Sequence, residues 1–139
     1  MDVQTGDTGQ MVGYTVIRST RDRDRFQFEI RMLKRPAFAE CSLVRQYLLG
    51  QSLRDQEKIV SRIMTMAEMG PEPRPERYGD LGEGIYEMKI DQHRIPFFYA
   101  GKATIVLTHG FFKTTQKAPP REVRRARELR SLYDQQFGA

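Results

Sequence analysis

Glu83 to Pro120 reads EGIYEMKIDQHRIPFFYAGKATIVLTHGFFKTTQKAPP, and its punctuation decides the fold. In Ile85 to Ile90, the residues Tyr86, Met88 and Ile90 alternate with Glu87 and Lys89, the period of two of a half-buried strand. Asp91, Gln92 and His93 supply the polar residues of a tight turn. Arg94 to Tyr99 is apolar after its first residue, and Ala100, Gly101 and Lys102 make a second turn before a third strand, Thr104 to His109. Turns this short leave no room for the long crossover that parallel neighbours need, so the three strands form an antiparallel meander. Pro96 has no N–H to give to a ladder, which predicts a bulge or a sheet edge at that position.

Toward the N-terminus, Phe26, Phe28 and Ile30 alternate with Gln27, Glu29 and Arg31 as a further strand, and Tyr14 to Ile17 has the composition of a brief one. Lys34 to Cys41 reads as a loop broken by Pro36. Ser42 is placed to cap a short helix to about Leu49, where Gly50 offers a left-handed stop. Ser52-Leu53-Arg54-Asp55 has the form of a capping box and opens a longer helix with Ile59, Ile63, Met64 and Ala67 on one face, ended by Gly70 and Pro71. The Pro-rich PEPRPE connects it to the sheet. Pro120 opens a terminal helix whose apolar stripe is Val123, Ala126, Leu129, Tyr133 and Phe137.

This order predicts an α+β fold: a small, mainly antiparallel four-stranded sheet, with two helices before the three-strand meander and a C-terminal helix after it. The helices are expected on one face of the sheet, leaving the other for function. Residues 1–24 read as an N-terminal extension, partly disordered, and residues 25–139 as one domain.

At 139 residues the chain is long enough to bury roughly two-thirds of the surface its unfolded form exposes. A single cysteine, Cys41, excludes an intramolecular disulfide and suits a reducing compartment. Nothing beside it in sequence would activate it as a nucleophile, so it reads as a packed or loop thiol. No apolar run approaches the roughly 20 residues that span a bilayer, and the first residues lack the basic and apolar regions of a signal peptide. The expectation is a cytoplasmic protein without a membrane partner.

The formal net charge is +5, and its distribution carries more meaning than its sum. Lys113, Lys117, Arg121, Arg124, Arg125, Arg127 and Arg130 fall within eighteen positions of the last third, opposed within that span only by Glu122 and Glu128. Such a cluster favours an acidic partner, although a solvated helix face is the commoner reason for a charge run. On the meander, Lys89 projects opposite Tyr86, Met88 and Ile90, and Arg94 begins the neighbouring strand. A register that puts them on one face sets two cations side by side with Glu87 as the one carboxylate in range. Glu87 then either closes a cross-strand salt bridge or leaves at least one cation free. His109 ends the last strand beside Lys113, Gln116 and Lys117, on either the core or the open face. His93 reads as a solvated turn residue, and Phe111, Phe112 and Tyr99 as buried rings. There is no cluster of His, Asp and Glu with ligand spacing, so neither a metal nor another cofactor is expected.

The string GxxYExKI, then HRIPFF, then VLTHGFFKTTQKAPPREVRRA resembles the RelE/HigB-like superfamily of bacterial and phage toxins, over roughly residues 25 to 135. The resemblance implies a toxin of a type II toxin-antitoxin system that cleaves mRNA, usually on the ribosome, and is silenced by an antitoxin of helix-turn-helix type. In that chemistry the 2′-hydroxyl attacks the adjacent phosphate, which calls for a base, an acid and cations. Arg94 matches the family's strand arginine, which would hold the scissile phosphate. Lys89 and Lys113 match basic positions of the preceding strand and of the segment after the last strand. His109 and Lys117 join them as candidates for proton transfer and backbone contact, and Gln116, Arg121 and Arg124 extend the RNA-binding strip. The chain departs from the family pattern at Thr114, where a second lysine is usual, and at Ala118, where threonine is usual. Tyr133 reads as core, so the terminal tyrosine some members use has no counterpart.

Two other classes share these features. A gyrase-directed toxin of the ParE type would use the same fold without the cationic face. A non-catalytic RNA- or ribosome-binding module would use the basic strip for affinity alone.

Overall fold

The computed structural model describes residues 11–17, 26–72 and 74–138. Most of the stretch read as an N-terminal extension, 1–10 and 18–24, lies outside the described residues, while residues 11–17 carry an outer strand of the sheet. Among the described residues seven strands form one mixed sheet: β1 (Gly13–Val16), β2 (Glu29–Lys34), β3 (Tyr78–Gly82), β4 (Ile85–Ile90), β5 (His93–Tyr99), β6 (Thr104–Leu107) and β7 (Phe111–Phe112). Their order is β1-β2-β6-β5-β4-β3, with β7 also pairing to β5. The helices are α1 (Leu43–Leu49), α2 (Leu53–Met69) and α3 (Pro120–Phe137). The α+β class and the meander β4-β5-β6 match the sequence reading; the count of four strands does not.

The extra strands have identifiable causes. β3 is poor in strand formers, and its pairing comes from the hairpin turn, where Gly82, Glu83 and Gly84 all take positive φ. β7 is two residues long and pairs His93 with Phe112 and Arg94 with Phe111. β2 runs parallel to β6, which the chain reaches only after both early helices and the first two hairpins.

Pro96 lies in a central strand with unbroken register to β4, neither at an edge nor at a bulge. Its carbonyl accepts from Thr108 N at 2.9 Å, at the point where β5 exchanges β6 for β7 as its neighbour. The missing N–H falls in that gap, so no ladder bond is lost.

Both early helices begin at side-chain caps. Ser42 Oγ accepts from Arg45 N and Ser52 Oγ from Asp55 N. Gly50 has φ −87°, so α1 ends without the expected left-handed residue, whereas Gly70 ends α2 at a positive φ of 81°. α2 buries Ile59, Ile63, Met66 and Ala67, with Met66 in the role expected of Met64.

The sheet is covered on both sides, which corrects the expectation of one open face. Ile30, Met88, Ile95, Phe97, Ile105 and Leu107 pack with Val44 of α1 and the buried residues of α2. On the opposite face Leu33, Phe98 and Val106 pack with Leu129 and Tyr133 of α3. Ile95 to Phe98 is apolar at every position because β5 is buried on both faces. Val123 is half-buried and Phe137 exposed, so the stripe of α3 is narrower than its sequence suggests.

Candidate active site

The β4–β5 turn sets the geometry of the site. Lys89 and Arg94 are direct cross-strand partners, so their side chains leave the same face with Cβ atoms roughly 4.5–5.5 Å apart. Both are half-buried. Arg94 Nη1 donates to the carbonyls of Asp91 (2.7 Å) and His93 (2.9 Å), and Lys89 Nζ donates to Pro75 O at 3.0 Å. Among the described residues neither forms a salt bridge. Lys113 joins them because its N–H donates to Gln92 O at 2.8 Å, tying the segment after β7 to the same turn.

Glu87 stands one row away on this face, opposite Pro96, and is only 5% exposed. The cross-strand salt bridge open to it from sequence is not made: Oε1 is buried without a hydrogen-bond partner, and so is Nε of Arg94. Gly79 lies directly across from Glu87 on β3, and a Cβ there would come within 3.0 Å of both Glu87 Oε2 and Lys89 Cε. The carboxylate and the lysine stem therefore flank one another beside a position that only hydrogen can fill.

His109 is buried. Its Nε2 lies 3.2 Å from Glu122 Oε1 in the first turn of α3, and its Nδ1 lies 2.9 Å from Thr108 Oγ1. Burial, reinforced by the charge of Arg125, pushes the imidazole down to about 3, so it is neutral near pH 7. A carboxylate only accepts, so Nε2–H donates to Glu122 and Nδ1 accepts from the threonine hydroxyl. The ring stacks on Phe111 at 5.8 Å between centroids. The structure thus sets His109 against Glu122, holding the start of α3 to the sheet.

His93 corrects the sequence reading more sharply, for it is 2% exposed and not solvated. Its Nδ1 lies 2.6 Å from Tyr47 Oη and its Nε2 3.1 Å from Asp55 Oδ2, so the phenol donates to the ring and the ring to the carboxylate. The apparent capping-box residue Asp55 thus turns its carboxylate to His93 instead of back to its own helix. Burial and the charge of Asp55 push the Tyr47 phenol up to about 12, which keeps it a donor. The chain fixes the residue beside Arg94, and no local sequence signal marks it.

Gln116, Lys117, Arg121 and Arg124 are exposed on the loop before α3 and on its first turns. Gln116, Lys117 and Arg121 lie on the segment that Lys113 and Glu122 anchor at its two ends, and Arg124 lies just beyond it. Arg127 and Arg130 are instead tied to the β3–β4 turn, donating to Leu81 O and Glu83 O. Phe111 is buried as expected, but Phe112 and Tyr99 are half exposed. Tyr133 is core, its Oη accepting from Arg31 Nη1 at 2.6 Å. Among the described residues no three His, Cys, Asp or Glu side chains are grouped to hold a metal ion, and no helix is long and apolar enough to cross a membrane.

A search of curated proteins finds no match to the chain. Residues 46–131 match the family model described as phage derived protein Gp49-like (DUF891), a span that runs from α1 through the whole β3–β7 unit into α3 and holds Lys89, Arg94, His109 and Lys113. The match covers more than half of the sequence, and the chain belongs to this Gp49-like family, which is associated with RelE/ParE-like toxins.

Proposed function

We propose that the protein is the toxin of a type II toxin-antitoxin system and acts as a metal-independent mRNA endoribonuclease. The observation that carries this reading is the cross-strand pair of Lys89 and Arg94, two cations on one face with no salt-bridge partner among the described residues. Attack of a ribose 2′-oxygen on the adjacent phosphate needs positive charge beside the non-bridging oxygens of the pentacoordinate phosphorus, where negative charge accumulates, and fixed lysine and arginine side chains supply it without solvent reorganisation. In the reaction the 2′-oxygen bonds to phosphorus, the P–O5′ bond breaks, and the fragments carry a 2′,3′-cyclic phosphate and a 5′-hydroxyl. The exposed Lys117, Arg121 and Arg124 extend the track along which the RNA backbone would lie. The expected partners are mRNA on the ribosome and a small helix-turn-helix antitoxin that masks this track.

The test is induction of the chain in growing bacteria with mapping of mRNA 5′ ends. Wild type generates new ends inside coding sequences, while Arg94→Ala, folded by circular dichroism, loses them, the loss of one transition-state contact costing roughly 3 kcal/mol. Growth arrest with unchanged ends and lost supercoiling would move the reading to a ParE-type gyrase poison.

A second reading draws on a specific feature of the site. Lys89 and Arg94 each already donate to backbone carbonyls, while Phe112 and Tyr99 offer exposed rings, which is the equipment of an RNA-binding module that cuts nothing. Tight RNA binding without new 5′ ends would favour it.

A further inference from the structure

Glu87 Oε1 and Arg94 Nε are the two buried side-chain polar atoms left without a partner among the described residues, one an acceptor and one a donor. They belong to the same face of paired strands. Glu87 pairs with Pro96, two positions along β5 from Arg94, so the two side chains are diagonal neighbours with backbones roughly 7–8 Å apart. Leaving such groups unsatisfied is destabilising, the more so where the group is charged. A fold that leaves both on one face, with Lys89 beside them, has the complement of a small group that donates one hydrogen bond and accepts another.

A hydroxyl is such a group. We propose that Glu87 is the general base of the ribonuclease, taking the proton of the ribose 2′-hydroxyl while Arg94 Nε–H donates to the same oxygen. The inference rests on the nuclease reading and deepens it. Glu87 Oε1 receives the proton, the 2′-oxygen's electron pair forms the bond to phosphorus, and the P–O5′ bond breaks with its electrons on the 5′-oxygen, which leaves with a proton from water. Lys89 then has a double task. Its stem flanks the carboxylate beside Gly79, and its ammonium is held only by Pro75 O among the described residues. Exchanging that carbonyl for the scissile phosphate swings the stem and opens Glu87 to the ribose.

Glu87→Gln keeps the volume and removes the base. On mRNA-programmed ribosomes, its single-turnover cleavage is expected to fall about 100-fold or more with RNA binding unchanged. Cleavage at the wild-type rate overturns the inference and leaves the nuclease reading standing; wild type that cuts no RNA overturns both. Should Glu87→Gln fail to fold by thermal melting, the substrate decides. A short RNA oligonucleotide carrying a single 2′-fluoro nucleotide at the cut site can accept from Arg94 but has no proton for Glu87. Wild type is expected to bind it several-fold more weakly than the all-ribose strand, and equal binding rejects the assignment.

Discussion

His109 carries a pH signature whose sign follows from its burial. The fold holds the imidazole at about 3, below its ordinary 6.5, so between these values the unfolded chain binds a proton that the native state refuses. Stability is full above pH 6.5 and falls toward acid, by up to about 1.4 kcal/mol per pH unit. Urea unfolding at pH 7.5 and 5.5 is expected to show about 1 kcal/mol lost by the wild type from this group. His109→Gln should lose correspondingly less, and equal losses in the two proteins would mean that the ring is solvated. At this scale the site was partly legible. Lys89 and Arg94 could be nominated from sequence but not paired: reading Asp91, Gln92 and His93 all as turn leaves the register open, whereas His93 starts β5 opposite Ile90 and so sets Arg94 against Lys89. Glu87 could not be read as buried, because a polar residue at the polar phase of a strand looks solvated until a helix is known to cover it; Ile85 at the same phase was the available signal. His93 was misread because its partners, Tyr47 and Asp55, lie 46 and 38 positions away.

Among the elements, the junction of α1, β5 and β7 is tightly constrained. Gly110 leads into β7 and packs its hydrogen against Tyr47, where a Cβ would come within 2.5 Å of the ring. The same ring donates to His93, and His93 meets Phe112 edge-on at 5.5 Å. Gly110→Ala therefore displaces the ring and breaks its hydrogen bond together, with an expected loss of roughly 1–3 kcal/mol in chemical denaturation. The same substitution at Gly101, which has nothing within 4 Å, meets only the cost of a positive φ. A Gly110→Ala protein as stable as wild type would show that α1 slides freely against the sheet. Strong local signals made β4, β5, α2 and α3 readable: alternation, caps and a helical stripe. β3 and β7 lacked such signals because pairing partners, not their own residues, make them strands.

For the whole molecule, the two-sided packing of the sheet removes the open face that a four-stranded reading suggested and leaves the candidate site at the end of the central hairpin. The basic charge divides accordingly. Arg127 and Arg130 are spent on the β3–β4 turn, with Glu83 and Asp134 beside them. Arg121 and Arg124, like Lys117 and Arg125, are exposed and form no salt bridge among the described residues, so they belong to the part of the cluster available to a polyanion. If both contact phosphates of a single strand, each neutralised phosphate contributes about 0.7 to the log-log slope of affinity against salt. The Arg121→Ala/Arg124→Ala protein should then bind a fluorescent RNA oligonucleotide with a slope shallower by about 1.4, and with an affinity loss that is uniform across sequences. Both arginines lie outside the Lys89–Arg94 pair, so the cleavage step itself should keep its rate once RNA is saturating. A slope identical to wild type would return these arginines to the status of a solvated helix face, and would confine RNA recognition to the hairpin end and the Lys113–Lys117 segment.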